Sequence, residues 1–178
     1  MPALIKNYLD LRDDLAANQE LTEIFFESST KKDFKDEEER RAFHWKYLGY
    51  YLSTYPQYAW VALDKGVLGY LVGTPVSDTS ELVSLQPHLA AFKEFYSDYP
   101  AHLHINCHAR SRGLGIGTLL TLKFIEQLQN EKCKGLHIMT GVGSANCSFY
   151  RKLGFDFEQE KPFGTAAIYF MGKSLTDN

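Results

Sequence analysis

Hydrophobic positions change their spacing along this chain, and each change marks a new element. Residues 3–9 predict a short first strand, after which Leu15, Leu21, Ile24 and Phe25 recur at roughly helical spacing as far as Ser28-Ser29-Thr30. In the mixed-charge stretch that follows, Asp36-Glu37-Glu38-Glu39 precede Arg40-Arg41 and then Phe43, Tyr47, Tyr50 and Tyr51. That order places acids at the positive end of a helix whose aromatic stripe faces inward. Residues 58–63, the turn Asp64-Lys65-Gly66 and residues 67–73 read as a tight hairpin. Residues 79–100 read as an inserted segment with one helix, which either shapes specificity or covers a sheet edge. His102-Leu103-His104-Ile105-Asn106-Cys107-His108 alternates with period two, a strand with histidines and an asparagine on one face.

Leu120, Phe124, Ile125 and Leu128 mark the buried side of the next helix, which ends over residues 132–135. Residues 135–140 predict a strand parallel to 102–108, provided the helix between them is a right-handed crossover. Residues 144–153 form a short helix stopped by Gly154, and residues 155–158 with 167–171 close the sheet as a hairpin. The order predicts a mixed α/β (α+β) fold, a mostly antiparallel sheet with one central parallel pair, flanked by helices.

Composition narrows the class. The 178 residues are 44% hydrophobic with no linker-like run, which fits one domain over residues 1–178 with 79–100 inserted. A formal charge of −3 supplies no basic surface for a polyanion, so nucleic acid is not an expected partner. Cys107, Cys133 and Cys147 are odd in number and at no metal-ligand spacing, which fits a reducing compartment and no metal. No apolar run reaches membrane-spanning length, and Met-Pro-Ala-Leu-Ile-Lys lacks a signal-peptide core. The expected place is the cytoplasm, without a membrane partner.

The candidate chemistry gathers at Arg110-Ser111-Arg112-Gly113-Leu114-Gly115-Ile116-Gly117-Thr118, between the 102–108 strand and its following helix. Unpaired N–H groups and the positive end of a helix dipole converge on an anion there, where glycine allows close approach. The Rossmann fingerprint needs a glycine at position 118, which is threonine, and no Gly-Lys-Ser/Thr closes a P-loop. What remains is Arg-x-x-Gly-x-Gly, met twice in overlapping register, at Arg110/Gly113/Gly115 and at Arg112/Gly115/Gly117. Alone, that pattern is short enough to arise by chance. A second segment, Phe149-Tyr150-Arg151-Lys152-Leu153-Gly154-Phe155, fixes several uncommon residue types and is far less accidental.

In this order, the two segments resemble the GNAT N-acetyltransferase superfamily, most strongly over residues 105–155. The resemblance implies a fold whose two parallel strands splay apart, with the pantetheine arm of acetyl-CoA in the gap. Matched by position, Ile105, Asn106 and Cys107 would meet that arm as a neighbouring strand would. Arg112, Gly113, Leu114, Gly115, Ile116, Gly117 and Thr118 would cradle the diphosphate. Arg110 fills a place that a second form of the motif gives to glutamine or arginine. Many relatives carry an asparagine seven residues before the tyrosine; here that position is Gly143, and Asn146 is the nearest asparagine.

The implied reaction moves an acetyl group to a primary amine, on a small molecule or a protein, within a ternary complex. A backbone N–H near Ile105 would meet the developing oxyanion. Tyr150 would return a proton to the departing thiolate. His102 and His104 are the candidate bases, since imidazole titrates in the useful range, and His137 is a lesser one. A homodimer is compatible with this reading.

Each assignment has a plainer alternative. Glycine pairs also occur where a helix packs closely on a sheet, Arg112 can sit in solvent, and either histidine can be a hydrogen-bonded structural residue. Tyr150 can be a core aromatic, although Phe149 and Leu153 would share the apolar face and leave it pointing away. Asn146 or Ser144 can cap the helix. A covalent role for Cys107 or Cys147 competes with the tendency of cysteine to act as a small hydrophobe. Residues 99–105, the insertion and the aromatic second helix also resemble acetyltransferase-like domains found beside O-GlcNAc hydrolases. Such domains need not catalyse, so an inactive acyl-CoA-binding module is the alternative to an enzyme.

Overall fold

The computed structural model describes residues 3–176. Its strands are β1 (Leu4–Asn7), β2 (Trp60–Leu63), β3 (Val67–Thr74), β4 (Ala101–Cys107), β5 (Gly135–Gly141), β6 (Phe157–Phe163) and β7 (Ala166–Ser174). Its α-helices are α1 (Leu15–Ser28), α2 (Glu37–His44), α3 (Tyr50–Thr54), α4 (Ser80–Leu85), α5 (Ile116–Asn130) and α6 (Cys147–Lys152). In hydrogen-bond order the strands run β1-β2-β3-β4-β5-β7-β6. The pairing is mostly antiparallel, with β4 and β5 parallel through Ala101↔Leu136 and His102↔His137. This is the mixed α/β class that the element order predicts. Contacts divide the chain into two units: residues up to Gly73 with His104–Phe124, and Thr74–Leu103 with the chain from Ile125 onward.

In the first unit, β1 pairs with β2 and β2 with β3, both antiparallel. The expected first strand is shorter than residues 3–9, because Asn7 turns its side chain back to accept from Leu9 N and starts a 3-10 turn. The β2/β3 turn places Lys65 and Gly66 at positive φ, and Glu20 on α1 accepts from Val67 N at 2.5 Å. All eight residues of β3 are buried, the signature of a strand covered on both faces. Within it, a Cβ at Gly69 would lie 2.9 Å from Asn106 O and 3.0 Å from Cys107 Sγ, so glycine permits that approach.

Asp14 caps α1 by accepting from Ala17 N, and Ala17, Leu21, Ile24 and Phe25 form the buried face. Leu15, expected in that stripe, is 85% exposed because it opens the helix ahead of the first inward turn. The expected aromatic helix runs through residues 37–54 and carries a π-helical turn within it. Asp36 caps α2 through Glu39 N, a π-helical turn spans Trp45–Gly49, and α3 follows. Leu48, Tyr50 and Tyr51 are consequently the buried residues, while Phe43 and Tyr47 stay half-buried. On α5, Ile116, Leu120 and Phe124 turn inward as the spacing predicts.

In the second unit, β5 pairs antiparallel with β7 from Gly135↔Ser174 to Gly141↔Ile168, and β6 with β7. The inserted segment is not one helix. Thr79 caps the six-residue α4, and Pro87 then forces 3-10 turns over Pro87–Phe95 with a kink at Phe92. Those turns bring Phe92 and Tyr96 onto Phe170 of β7, with Phe95, Tyr99 and Phe157 packed around them. The segment therefore packs on the inner strand β7 as well as beside the edge strand β6, where a sheet edge alone was expected. The last helix starts at Cys147 rather than at residue 144. It stops as expected: Gly154 is at φ +81, Gly154 N donates to Arg151 O, and Phe155 N donates to Tyr150 O.

Candidate active site

The candidate residues from His104 to Thr118 belong to the first unit, whereas His102, Asn146 and Tyr150 belong to the second. After β4 the chain makes a 3-10 turn, Ala109–Ser111. Its start is tied to β3, because His108 N donates to Leu68 O at 2.9 Å and Ser111 Oγ donates to the same oxygen at 2.7 Å. Gly113 and Gly115 follow at φ +78 and +74, the left-handed region that favours glycine, and a Cβ at either would meet nothing within 4 Å.

Hydrogen-bond accounting then separates the loop amides into two groups. Arg112 N donates to Ala109 O and Leu114 N to Ser111 O, each at 3.2 Å, so these two close the turns. Among the described residues, no acceptor takes the N–H groups of Gly113, Gly115, Ile116, Gly117 or Thr118, and the α5 ladder begins with Leu119 N donating to Gly115 O. Five donors at and before the helix start thus have no internal acceptor, the chemistry that suits an anion. These backbone groups fit a diphosphate, and the Arg112 side chain beside them is exposed.

Both arginines are exposed, and they differ in that Arg110 holds a main-chain oxygen of the neighbouring β2/β3 hairpin, its guanidinium donating to Val67 O at 3.2 Å. On β4, Asn106 Nδ2 donates to the hydroxyl of Tyr70 at 2.8 Å, and burial raises that phenol above its ordinary pKa and keeps it protonated. Burial likewise pushes the Cys107 thiol up to about 11, against a smaller opposing effect of Arg112. A thiol so held is protonated at neutral pH, the form that is the weaker nucleophile.

His104, half-buried, lies with Nε2 3.1 Å from the hydroxyl of Tyr51 and its ring edge-on to Tyr47 and Tyr51. His102 is buried, with Nδ1 2.7 Å from Ser77 Oγ. Ser77 donates its one hydrogen to Pro100 O at 2.6 Å, so His102 donates from Nδ1. Its ring neighbour His137 contacts Tyr99 O through Nδ1 at 2.7 Å and stacks on Phe170. Both of these histidines lie in packed, hydrogen-bonded surroundings.

On α6, Tyr150 is 4% exposed and Cys147 6%, three residues apart, so they form the inward face while Phe149 and Leu153 are half-buried. This reverses the expected orientation of Tyr150. Beyond the helix, Gly154 at φ +81 folds Phe155 back against the Tyr150 ring, with centroids 5.3 Å apart. Asn146 stands at the helix start without capping it; Oδ1 accepts from Thr140 Oγ1 at 3.1 Å. Gly143 is at φ +73 in a cleft of about 460 Å³ that Ser144, Cys147, Ser148 and Arg151 also line. Arg151 is held by Glu158, Nε to Oε1 at 2.6 Å, and the Tyr169 hydroxyl donates to the same carboxylate, keeping it well below the ordinary glutamate range.

A comparison with protein families matches residues 18–155 to the acetyltransferase (GNAT) family. The chain belongs to that family. A search of curated proteins gives no match. Among solved structures, this GNAT chain is similar to SsHAT at 19% identity and TM-score 0.74, with 99% of this chain and 100% of that one covered. It is also similar to yncA, a putative acetyltransferase from Salmonella typhimurium determined with its cofactor acetyl-CoA, at 17% identity and TM-score 0.61, over 100% of this chain and 96% of that one. A chain of the NatC complex, bound to Gag peptide and CoA, aligns at 16% identity and TM-score 0.62, over 99% and 100%. At these identities the likeness is one of fold.

Two contacts of this GNAT chain lay beyond sequence reading. Tyr51 is 53 residues from His104 and Tyr70 is 36 from Asn106, so no local spacing links either pair. The aromatic stripe at 43, 47, 50 and 51 was the one available signal for the first.

Proposed function

We propose that the chain transfers an acetyl group from acetyl-CoA to a primary amine of a small molecule or protein, directly within a ternary complex. The observation that carries this reading is the run of five amides without an internal acceptor, at Gly113, Gly115, Ile116, Gly117 and Thr118, where α5 begins. Family membership supports it, as do the fold relatives whose structures hold CoA or acetyl-CoA. Acetyl-CoA supplies an acetyl thioester with an electrophilic carbonyl and a thiolate leaving group.

The chain's own residues supply the rest in this proposal. The main chain of Ile105, Asn106 and Cys107 runs along the pantetheine arm, and an N–H near Ile105 meets the oxygen that gains charge. The acceptor ammonium, of ordinary pKa about 10.4, must lose a proton before attack. His104 takes it, since His102 is buried and already donates to Ser77. Tyr150, by its place in the second family segment, returns a proton to the thiolate.

One pair of observations favours a second reading, a module that binds acyl-CoA without turnover. Gly143 stands where many relatives carry asparagine, and the Asn146 side chain is engaged with Thr140. The likeness of residues 99–105 to domains beside O-GlcNAc hydrolases points the same way. Release of free thiol from acetyl-CoA, measured with a panel of polyamines, arylalkylamines and peptide N-termini, decides between the two. At least one amine is expected to raise the rate about tenfold or more over hydrolysis, within the reach of a positioned acid and base. Binding without acceleration by any amine selects the module, and no binding overturns both.

A further inference from the structure

The turn that leads into the glycine loop is capped by a titratable side chain. His108, half-buried, opens the 3-10 turn Ala109–Ser111, and its Nδ1 accepts from Arg110 N at 3.2 Å. A backbone N–H can only donate, so Nδ1 carries the lone pair and the proton of the neutral ring is on Nε2. Nε2 lies 3.9 Å from the Glu27 carboxylate of α1, in the wall of a cavity of about 440 Å³. Glu20, Glu23 and Glu27 from α1, Lys65 from the β2/β3 turn and Arg110 are the charged groups that share this cavity with His108. Beyond the cap, Arg112 N closes on Ala109 O, Leu114 N closes on Ser111 O, and the α5 ladder opens at Gly115 O. Ala109 and Ser111, whose carbonyls fix those two turns, both belong to the turn that His108 caps.

We infer that His108 is a positioning residue for the diphosphate cradle, which it holds only as a neutral imidazole. The inference rests on the reading of the glycine loop as that cradle. Protonation puts a second N–H on the ring at Nδ1, opposite the N–H of Arg110, so two donors face each other and the cap bond is lost. The imidazolium is then drawn toward Glu27, Glu23 and Glu20, while Lys65 and Arg110 oppose its charge. An imidazole changes charge between pH 8 and pH 5. Acid therefore frees Arg110 N, loosens the turn ahead of the cradle and weakens its hold on a diphosphate. The sign is the reverse of simple charge attraction, in which a new cation beside the loop would strengthen the binding of an anion.

The test titrates the full chain with dephospho-CoA, which keeps the diphosphate but lacks the phosphate monoester that itself takes a proton at about pH 6. From pH 8 to about pH 5.5 the wild-type affinity is expected to fall about fivefold, the scale of one hydrogen bond. His108→Ala, without the cap, should bind about fivefold more weakly at pH 8 and show no further fall. His108→Asn, whose amide oxygen accepts at a cap without titrating, should recover most of that loss and keep it in acid. In a sample with ¹⁵N-labelled histidine, NMR at pH 8 should show His108 as the Nε2–H tautomer. If Gly117→Glu binds dephospho-CoA as tightly as the wild type, the cradle reading falls and this inference with it. If Gly117→Glu is weakened while His108→Ala matches the wild type at pH 8, only the inference about His108 falls. It falls too if His108→Asn shows the wild-type pH dependence. A wild-type affinity that is flat or rising toward acid, or an Nδ1–H tautomer, overturns it whether or not the variants fold.

Discussion

Gly117→Glu is expected to lower acetyl-CoA affinity by more than a hundredfold while the melting temperature stays within a few degrees of wild type. Folding and binding respond to this change in opposite directions. Position 117 is the second residue of α5, where glutamate replaces the poorest helix former short of proline. An acid in a first turn is also favoured by the helix dipole, typically by about 0.3–1 kcal/mol. Folding therefore has reason to be maintained. For the ligand the sign is opposite, because the new carboxylate lies among the donors proposed to receive a diphosphate. Like charges about 4 Å apart near a protein surface repel by about 4 kcal/mol, more than the roughly 2.7 kcal/mol of a hundredfold loss. Calorimetric titration with acetyl-CoA, beside a thermal melt of each protein, reads both quantities. Unchanged affinity in a folded variant removes the cradle from the mechanism.

Tyr150→Phe is expected to lower kcat about a hundredfold, at the lower end of general acid catalysis, with KM for acetyl-CoA within about twofold. Phenylalanine preserves the ring that packs on Phe149 at 5.0 Å and Phe155 at 5.3 Å, so only the hydroxyl is removed. A fall in kcat without a change in KM marks an interaction made in the transition state alone. Thiol release under saturating acetyl-CoA and amine measures it. An equal rate reassigns the hydroxyl to packing, the role that the inward position of Tyr150 on α6 also permits.

Much of this site was legible before any coordinates, for a physical reason. The proposed cradle uses main-chain groups, and glycine spacing is what a sequence displays directly. The turn bonds of Arg112 N and Leu114 N were not legible, since they follow from backbone geometry. Period-two alternation marked β4, and a 3.6-residue stripe marked α5. Where local pattern competes with tertiary packing, the sequence misled. Nothing in the spacing of Phe43, Tyr47, Tyr50 and Tyr51 shows the π-helical turn within their helix. In the 144–153 segment, Asn146 accepts from Thr140 instead of capping the helix. The environments of His102 and His104 were out of reach, because Ser77 lies 25 residues away and Tyr51 lies 53.

The central claim concerns main-chain donors, so the most direct measurement observes them one by one. In a ¹⁵N-labelled sample titrated with acetyl-CoA, the amide resonances of Gly113, Gly115, Ile116, Gly117 and Thr118 are expected to show the largest downfield shifts of the chain, saturating together as the diphosphate takes their hydrogens. Saturation with acetyl-CoA that leaves those five resonances in place would contradict the account.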